Sequence, residues 1–310
     1  MIKRAVYAIL LAELLCAFAN AQEVEVFQGT PFIYTQSRRE TDGWKLSLIP
    51  SRLRGLERQA TSCVSARAMV LELVAWSHSI QPFLGTSVGQ LSESRVSFFV
   101  SGMTIDADGA PDAYHPDDIG VDELANAGKP GHWNGIITDR NGNPAIQQEN
   151  DPFPGYYISC TSLSDETKKF NDPTGYVDAS KIPYIALPKE LADRQGIRLG
   201  DFAFVVNLRN GKSSYAIYAD VGTLGEGSIA LADALGIPSD ARRGGESDGI
   251  LYLLFPASGN QRPRTITEIK SEGGRAFFSL KGMKRLSVLS CTKRELQPIG
   301  KRSSALGTEN

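Results

Sequence analysis

The residues GDFAFVVNLRNGKSSYAIYADV, at positions 200–221, decide the fold class of this chain. Two apolar runs rich in β-branched and aromatic residues flank the pair Asn210-Gly211. An Asn-Gly pair readily adopts the backbone angles of a tight turn, so the pattern predicts a β-hairpin. Side chains alternate across a strand, which predicts that Asp220 lies on the same face as Tyr218.

Further short strands are predicted on both sides of this hairpin. Apolar runs of strand length occur in four segments: RVSFFVSGMTI (95–105), GYYISCTSL (155–163), IPYIALP (182–188) and GILYLLFPAS (249–258). A second hairpin is predicted around Asn141-Gly142. Many short strands with few helices favour a mainly β fold, and an irregular α+β domain is the alternative.

The predicted helices are short. The segments KELADRQGI (189–197) and GEGSIALADALGI (225–237) have helical patterns, and in the second Ser228 is a suitable N-cap and Gly236 a suitable C-terminal stop. Residues 61–79 fit a helix or a buried strand. Residues 275–290 are expected to add one or two strands.

The charge distribution limits the class of partner. The chain has 310 residues and a net charge of −2, but residues 262–310 carry a net +7 and residues 1–261 a net −9. An acidic body favours a cationic partner over nucleic acid, although net charge can also serve solubility alone. We expect a monomer that does not bind nucleic acid.

The N-terminus has the features of a secretory signal. Lys3 and Arg4 precede an apolar run over residues 5–17, and Ala19-Asn20-Ala21 provides small residues for cleavage. We therefore expect a signal peptide over 1–21 and a secreted protein, extracellular or periplasmic. No later run is long and apolar enough for a membrane helix.

The remaining cysteines and the histidines do not indicate a metal or a cofactor. The spacing of Cys63, Cys160 and Cys291 fits no zinc pattern, and we expect small buried residues with at most one disulfide. The three histidines lie in separate segments. We therefore expect no cofactor and no metal.

One loop brings two acids close together in sequence. In YADVGTLGEGS (218–228), Asp220 and Glu226 are six residues apart, and Gly222 and Gly225 allow the backbone to fold back between them. Two carboxylates in one cleft can serve as the acid and the base of glycoside hydrolysis. On the residues alone, the favoured interpretation is that Asp220 is a turn residue and Glu226 a charge at a helix start.

The segments around this loop resemble glycoside hydrolase family 75, the chitosanases first known from fungi. The similar features are a strand that ends in Asp-x-Gly, the helix start Gly-Glu-x-Ser-Ile-x-Leu-Ala, and a late strand that ends in Phe-Pro-x-Ser, together covering about 182–259. Residues from 95 onward resemble the upstream half of bacterial relatives. The acids stand closer together here than in the fungal enzymes.

The resemblance implies an endo-acting enzyme that cleaves β-1,4 links in chitosan by inversion, without a cofactor. The essential Asp and Glu of the family correspond to Asp220 and Glu226. Our first hypothesis makes Glu226 the general acid and Asp220 the base, with the reverse assignment nearly as strong. By analogy with family 45 endoglucanases, expansins and one class of lytic transglycosylase, the strand order implies a six-stranded double-psi-type β-barrel.

Three further residues are candidates for substrate binding. Asp106 and Asp108 would point the same way if the strand before them continued, and Asp108 is the candidate contact to a cationic sugar. Their spacing does not fit a calcium loop. Trp133 and Tyr184 could stack on sugar rings, although ordinary packing roles explain them as well.

These expectations divide the chain into four parts: a signal peptide (1–21), a region of unclear role (22–94), a catalytic domain (95–261) and a basic extension (262–310). Two other functions remain open. The chain could be a lytic enzyme that acts on peptidoglycan with Asp220 alone, or a polysaccharide-binding module without activity.

Overall fold

The computed structural model describes residues 73, 77–91 and 94–279, together with four two-residue strands nearer the N-terminus. Those strands form two pairs: Ile33–Tyr34 with Ser47–Leu48, and Arg39–Glu40 with Gly43–Trp44. The expected signal peptide, most of the segment 61–79, and both Cys63 and Cys291 lie outside the described residues.

The described chain from residue 77 onward contains ten strands and three α-helices. The strands are β1 Ser77–Phe83, β2 Thr86–Leu91, β3 Ser97–Asp106, β4 Gly128–Lys129, β5 His132–Trp133, β6 Tyr184–Leu187, β7 Phe202–Asn207, β8 Ser213–Val221, β9 Glu226–Ser228 and β10 Glu246–Leu254. The helices are α1 Lys189–Gln195, α2 Ile229–Leu235 and α3 Ile266–Ser279. Single 3₁₀ turns occupy Leu124–Ala127 and Pro173–Gly175.

Six of these strands close into a barrel. Their order is β9-β6-β8-β7-β10-β3, and pairing between β3 and β9 closes the ring. Two pairs, β6 with β8 and β3 with β9, are parallel, and the others are antiparallel. The prediction of a mainly β fold with a barrel core is confirmed, and the irregular α+β alternative is excluded.

The hairpin predicted over residues 200–221 is present and supplies β7 and β8, two neighbouring strands of the barrel. β7 and β8 pair antiparallel from Phe202 opposite Ile217 to Val206 opposite Ser213. Gly211 has φ +75°, in the left-handed region that favours glycine, and its N–H donates to the carbonyl of Asn207 at 2.8 Å. The turn signal was therefore correct.

A β-bulge in β8 changes the side of the sheet on which Asp220 lies. Ile185 pairs with Tyr218, but the next residue, Ala186, pairs with Asp220, so Ala219 is an extra residue. Because neighbouring residues of β6 face opposite ways, Asp220 faces away from Tyr218. The prediction that these two residues share a face is wrong for this reason.

The strands bury apolar side chains on both faces. One cluster joins the barrel to α1 and α2 and includes Met103, Ile185 and Leu231. The other joins it to α3 and to the long connection between β3 and β6, and includes Phe277 and Tyr114. This connection, residues 107–183, covers the face on which Asp220 lies.

The helix start at Ser228 is confirmed. The Ser228 hydroxyl accepts the N–H of Leu231 at 3.1 Å, accepts the N–H of Tyr184 at 3.0 Å and donates to the carbonyl of Ile182 at 2.8 Å. Gly236 ends α2 in the left-handed conformation. One buried hydroxyl thus joins α2 to β6.

Ser228→Ala is expected to lower the free energy of unfolding by about 2–3 kcal/mol, because it removes the cap and leaves buried backbone groups unpaired. Urea unfolding followed by circular dichroism measures this change. Ser214→Ala is the matched control, because the Ser214 hydroxyl bonds only the neighbouring carbonyl of Tyr215 among the bonds described. An equal loss in both variants would contradict the assigned role.

Two predicted elements differ in the structure, and one alternative that the sequence left open is decided in part. Residues 266–279 form α3, which packs on β7 and β8, so strands are wrong for this part of the segment 275–290. The segment 155–163 makes single bridges, such as Ile136 with Ser159, in place of a regular strand. The end of the segment 61–79 is strand, because β1 begins at Ser77.

The sheet and the packing around it extend past both limits of the predicted catalytic domain, 95–261. On the N-terminal side, β1 pairs with β2, and β2 pairs with β3 of the barrel. On the C-terminal side, α3 packs against the barrel. Within the described residues, no helix has the length and hydropathy needed to cross a membrane.

Candidate active site

Asp220 and Glu226 lie on either side of one residue of β6. Ala186 pairs with Asp220 of β8 on one side and with Glu226 of β9 on the other. Residues paired across strands face the same side of the sheet, so both acids project from the same face. The loop between them folds back around the end of β6.

The Asp220 carboxylate is held in place by hydrogen bonds to one of its oxygens. Its Oδ1 accepts the N–H of Ser162 at 2.9 Å, the hydroxyl of Ser162 at 2.6 Å and the N–H of Val221 at 2.8 Å. Asp220 is 7% exposed. These donors all bind Oδ1, so the hydrogen bonds described here leave the other oxygen unused.

The glycines of the loop make room for Glu226. A side-chain carbon on Gly222 would overlap the Glu226 carboxylate, and one on Gly225, which has φ +92°, would lie 2.8 Å from the carbonyl oxygen of Gly102. The N–H of Thr223 donates to Glu226 Oε2 at 2.6 Å. Glycine is therefore needed at both positions for this loop to fold against β3 and hold the carboxylate.

Two more carboxylates complete the site from the end of β3. Asp106 pairs with Ser228 across the sheet, two residues from the pair of Thr104 with Glu226, so Asp106 faces the same side as Glu226. The strand ends here, and Asp106 Oδ1 accepts the N–H of Asp108 at 2.8 Å. A turn, rather than a continuation of the strand, brings the two aspartates together.

Tyrosine hydroxyls surround these aspartates. The buried Tyr114 donates to Asp108 Oδ1 at 2.6 Å, with Asp122 Oδ2 at 3.3 Å as a second acceptor. The buried Tyr184 donates to the carbonyl oxygen of Asp108 at 2.9 Å. A hydroxyl has one proton to donate, so the shorter bond to Asp108 takes that of Tyr114.

The aspartates hold protons more tightly than isolated carboxyls do. Burial, and then the charge of Asp220, raise the pKa of Asp106 to about 8. Burial also raises the pKa of Asp108, together with the charges of Asp106 and Asp220. Burial raises the pKa of Asp220 too, although its bonds from Ser162 and Val221 oppose the shift. Carboxylates this close cannot all be ionised at neutral pH.

The structure places the residues predicted for substrate binding at different depths. Asp108 lies in the site and is partly exposed. Trp133 is also partly exposed, packs against Tyr157, and belongs to the segment that leads to Gly135 beside Asp108. Tyr184 is fully buried, so its ring packs beneath the surface of the site and does not present a face to a sugar.

Several site residues were missed by the sequence reasoning. They are Ser162, Tyr114 and Gly135, all from the connection 107–183. No local pattern marks them, because they meet the barrel only through tertiary packing. Asp106 was noticed only as a neighbour of Asp108, although its position at the end of a buried strand was a usable signal. Near them, Cys160 is a free thiol, and burial raises its pKa to about 12.

Gly135 makes room for the Asp108 carboxylate. A side-chain carbon on Gly135 would overlap Asp108 Oδ1 and lie 2.8 Å from Oδ2. The backbone cannot easily retreat, because the Gly135 carbonyl accepts the hydroxyl of Ser159 and the N–H of Cys160, both at 3.0 Å. A side chain at this position therefore displaces the carboxylate.

Gly135→Ala is expected to lower kcat/KM for glucosamine oligosaccharides about 10-fold or more, because a misplaced group in an active site weakens catalysis steeply. Initial rates and a thermal unfolding curve measure both effects. Gly175→Ala is the matched control, since its new methyl group would make only an ordinary contact with Lys168 at 3.4 Å. A loss explained wholly by unfolding would contradict this prediction.

The three aspartates could also hold a cation. One oxygen from each of Asp106, Asp108 and Asp220 lies within 4.8 Å of the others, and among the described residues this is the group that could bind a metal ion. The same oxygens can share protons or accept bonds from an ammonium group. No Lys or Arg is among the main influences on the pKa of these aspartates.

Two acids on one face, separated by one strand, can supply the acid and the base of glycoside hydrolysis. A family model described as fungal chitosanase of glycosyl hydrolase group 75 matches residues 103–285. The chain belongs to this family, which confirms the resemblance found in the sequence. It is a chitosanase-like glycoside hydrolase. No curated protein matches the chain.

Proposed function

We propose that the chain is a secreted, endo-acting enzyme that hydrolyses β-1,4 links in chitosan with inversion, using Asp220 and Glu226. The observation that carries the proposal is that Ala186 separates the two acids across β6. Two strand spacings put the backbone positions of the two acids about 10 Å apart, so the carboxyl groups at the ends of their side chains can stand within the range that inversion needs. Inversion needs carboxyl groups about 6.5–9.5 Å apart, so that a water molecule fits beside the sugar.

The surroundings of the two acids support the reverse of our first assignment of roles. Asp220 lies among aspartates that retain protons, which suits the general acid. Glu226 Oε2 accepts the N–H of Thr223 at 2.6 Å, which orients this carboxylate for the role of the base. In this mechanism Asp220 is the acid and Glu226 is the base.

The reaction then consumes one water molecule. Asp220 gives its proton to the glycosidic oxygen while the bond from that oxygen to the anomeric carbon breaks. Water attacks the opposite side of the anomeric carbon and forms the new bond, and Glu226 accepts its proton. Glu226 afterwards releases that proton to solvent, and Asp220 takes one up. No cofactor enters these steps.

The charge of the site suits chitosan, whose amino groups are protonated in mildly acidic water. Asp106, Asp108 and Glu226 are all partly exposed, so a sugar can reach them. We propose that Asp108 contacts an ammonium group of the substrate and that Trp133 packs against a neighbouring ring. The negative body of the chain would also attract the cationic polymer.

The test is to incubate the full chain with chitosan, with chitin and with peptidoglycan, and to measure new reducing ends. An endo-acting chitosanase releases them from chitosan and lowers its viscosity early, and proton NMR shows the inverted anomer first. Release from peptidoglycan alone would favour the lytic alternative. Binding to chitosan without release would favour a binding module. Detection of a chain that begins at Gln22 outside the cell would support secretion.

A further inference from the structure

Asp106 is an acid of the site to which the mechanism gives no task. It lies at the end of β3, on the face that Asp220 and Glu226 share. One of its oxygens lies within 4.8 Å of an oxygen of Asp220. This separation is too short for the two aspartates to act on opposite sides of a sugar ring. Asp106 therefore belongs to the same half of the reaction as Asp220.

The hydrogen bonds around the two aspartates are unequal. Asp220 Oδ1 accepts from two N–H groups and one hydroxyl, whereas Asp106 accepts the N–H of Asp108 and also interacts with the hydroxyl of Tyr184. Donors stabilise an ionised carboxylate, so Asp220 without a carboxylate at position 106 beside it would lose its proton more easily.

The groups that face Asp106 from the neighbouring elements act in both directions. The charges of Asp220 on β8 and Glu226 on β9 favour retention of a proton, whereas the N–H of Asp108 after β3 and the hydroxyl of Tyr184 on β6 oppose it. Each of the carboxylates repels a further negative charge. Two aspartates this close therefore titrate as a coupled pair.

We propose that Asp106 is a positioning residue that shares one proton with Asp220 and keeps Asp220 ready to donate it at neutral pH. This inference rests on the proposed function, because it names the regulation of the same site. After Asp220 gives its proton to the leaving oxygen, the pair takes one proton from solvent. The rate then falls at high pH, where the pair loses the shared proton.

The test is the pH dependence of kcat/KM for soluble glucosamine oligosaccharides with Asp106→Asn. The amide cannot carry the neighbouring negative charge, so Asp220 loses its proton at lower pH. We expect the alkaline limb to move by about 1–2 pH units toward acid. Asp106→Glu, which keeps a carboxyl, should stay closer to the native profile. Asp193→Asn is the control, because it removes the charge of an exposed acid paired with Lys189.

A second measurement does not depend on activity. The pKa of Asp106 is about 8 in the folded chain, against an ordinary value of 3.8. Between these values the folded chain keeps a proton that the unfolded chain releases, so stability is greatest below the lower value and falls as pH rises toward 8. The urea midpoint should therefore fall less from pH 5 to pH 8 in Asp106→Asn than in the native chain.

The outcomes separate the two proposals. A shifted alkaline limb together with a smaller fall in the urea midpoint supports the shared proton. An unshifted limb overturns the inference, even if activity is lower. If the native chain does not cleave chitosan, the proposed function fails, and the urea midpoints alone decide whether Asp106 holds the proton. Equal falls in both proteins overturn it.

Discussion

Asp220→Asn is expected to lower kcat for chitosan by about 10³–10⁴-fold, because the amide cannot give a proton to the leaving oxygen. The change keeps the size of the side chain, and the amide oxygen can still accept the hydrogen bonds from Ser162 and Val221. The fold should therefore persist. Reducing-end release under single-turnover conditions measures the loss.

A substrate with a better leaving group tests the role of Asp220 directly. A nitrophenyl glycoside of a glucosamine oligosaccharide departs as a stable anion and needs little protonation. If Asp220 is the acid, Asp220→Asn should keep most of the native rate on this substrate while it fails on chitosan. Asp165→Asn, at an exposed turn that binds Thr167, is the control. An equal loss on both substrates would assign Asp220 another role.

The local features of the fold could be predicted from the sequence, because neighbouring residues determine them. The turn at Gly211, the cap at Ser228 and the helix end at Gly236 each follow from the conformations that one or two residues prefer. The strands of the barrel have apolar residues on both faces, so they occur in the sequence as continuous apolar runs. These runs predicted the strands and therefore the mainly β fold.

Features that depend on contacts between distant residues were not predictable. The bulge at Ala219 depends on how β8 pairs with β6, and no pattern within β8 shows it. α3 has Phe277 and Phe278 adjacent, which resembled a strand, but packing of Phe277 against Phe204 and Phe255 favours the helix. Tertiary contacts outweighed β propensity there.

The candidate site shows the same division. Asp220 and Glu226 were identified because both belong to one short loop whose glycines have visible spacing. Ser162 is 58 residues from Asp220 along the chain, and Tyr184 is 76 residues from Asp108, so their bonds depend on the closed barrel. The acids could be predicted, whereas the groups that hold them and set their protonation could not.

Glu226→Gln is expected to lower kcat by about 10²–10⁴-fold, because the amide cannot accept a proton from the attacking water. The amide oxygen can still accept the N–H of Thr223, and the carboxylate space beside Gly222 stays filled. Stability should change little. Glu190→Gln, on the exposed side of α1 where Glu190 pairs with Arg194, is the control for the charge change.

Azide distinguishes the base from the acid. Glu226→Ala opens space beside Gly222, and azide attacks the anomeric carbon without a base because it is already an anion. If Glu226 is the base, azide should restore cleavage by Glu226→Ala and give a glycosyl azide of inverted configuration. Azide should not restore cleavage by Asp220→Ala, because that variant has no acid to protonate the leaving oxygen. Rescue of Asp220→Ala alone would exchange the two roles and return Glu226 to the acid of our first hypothesis.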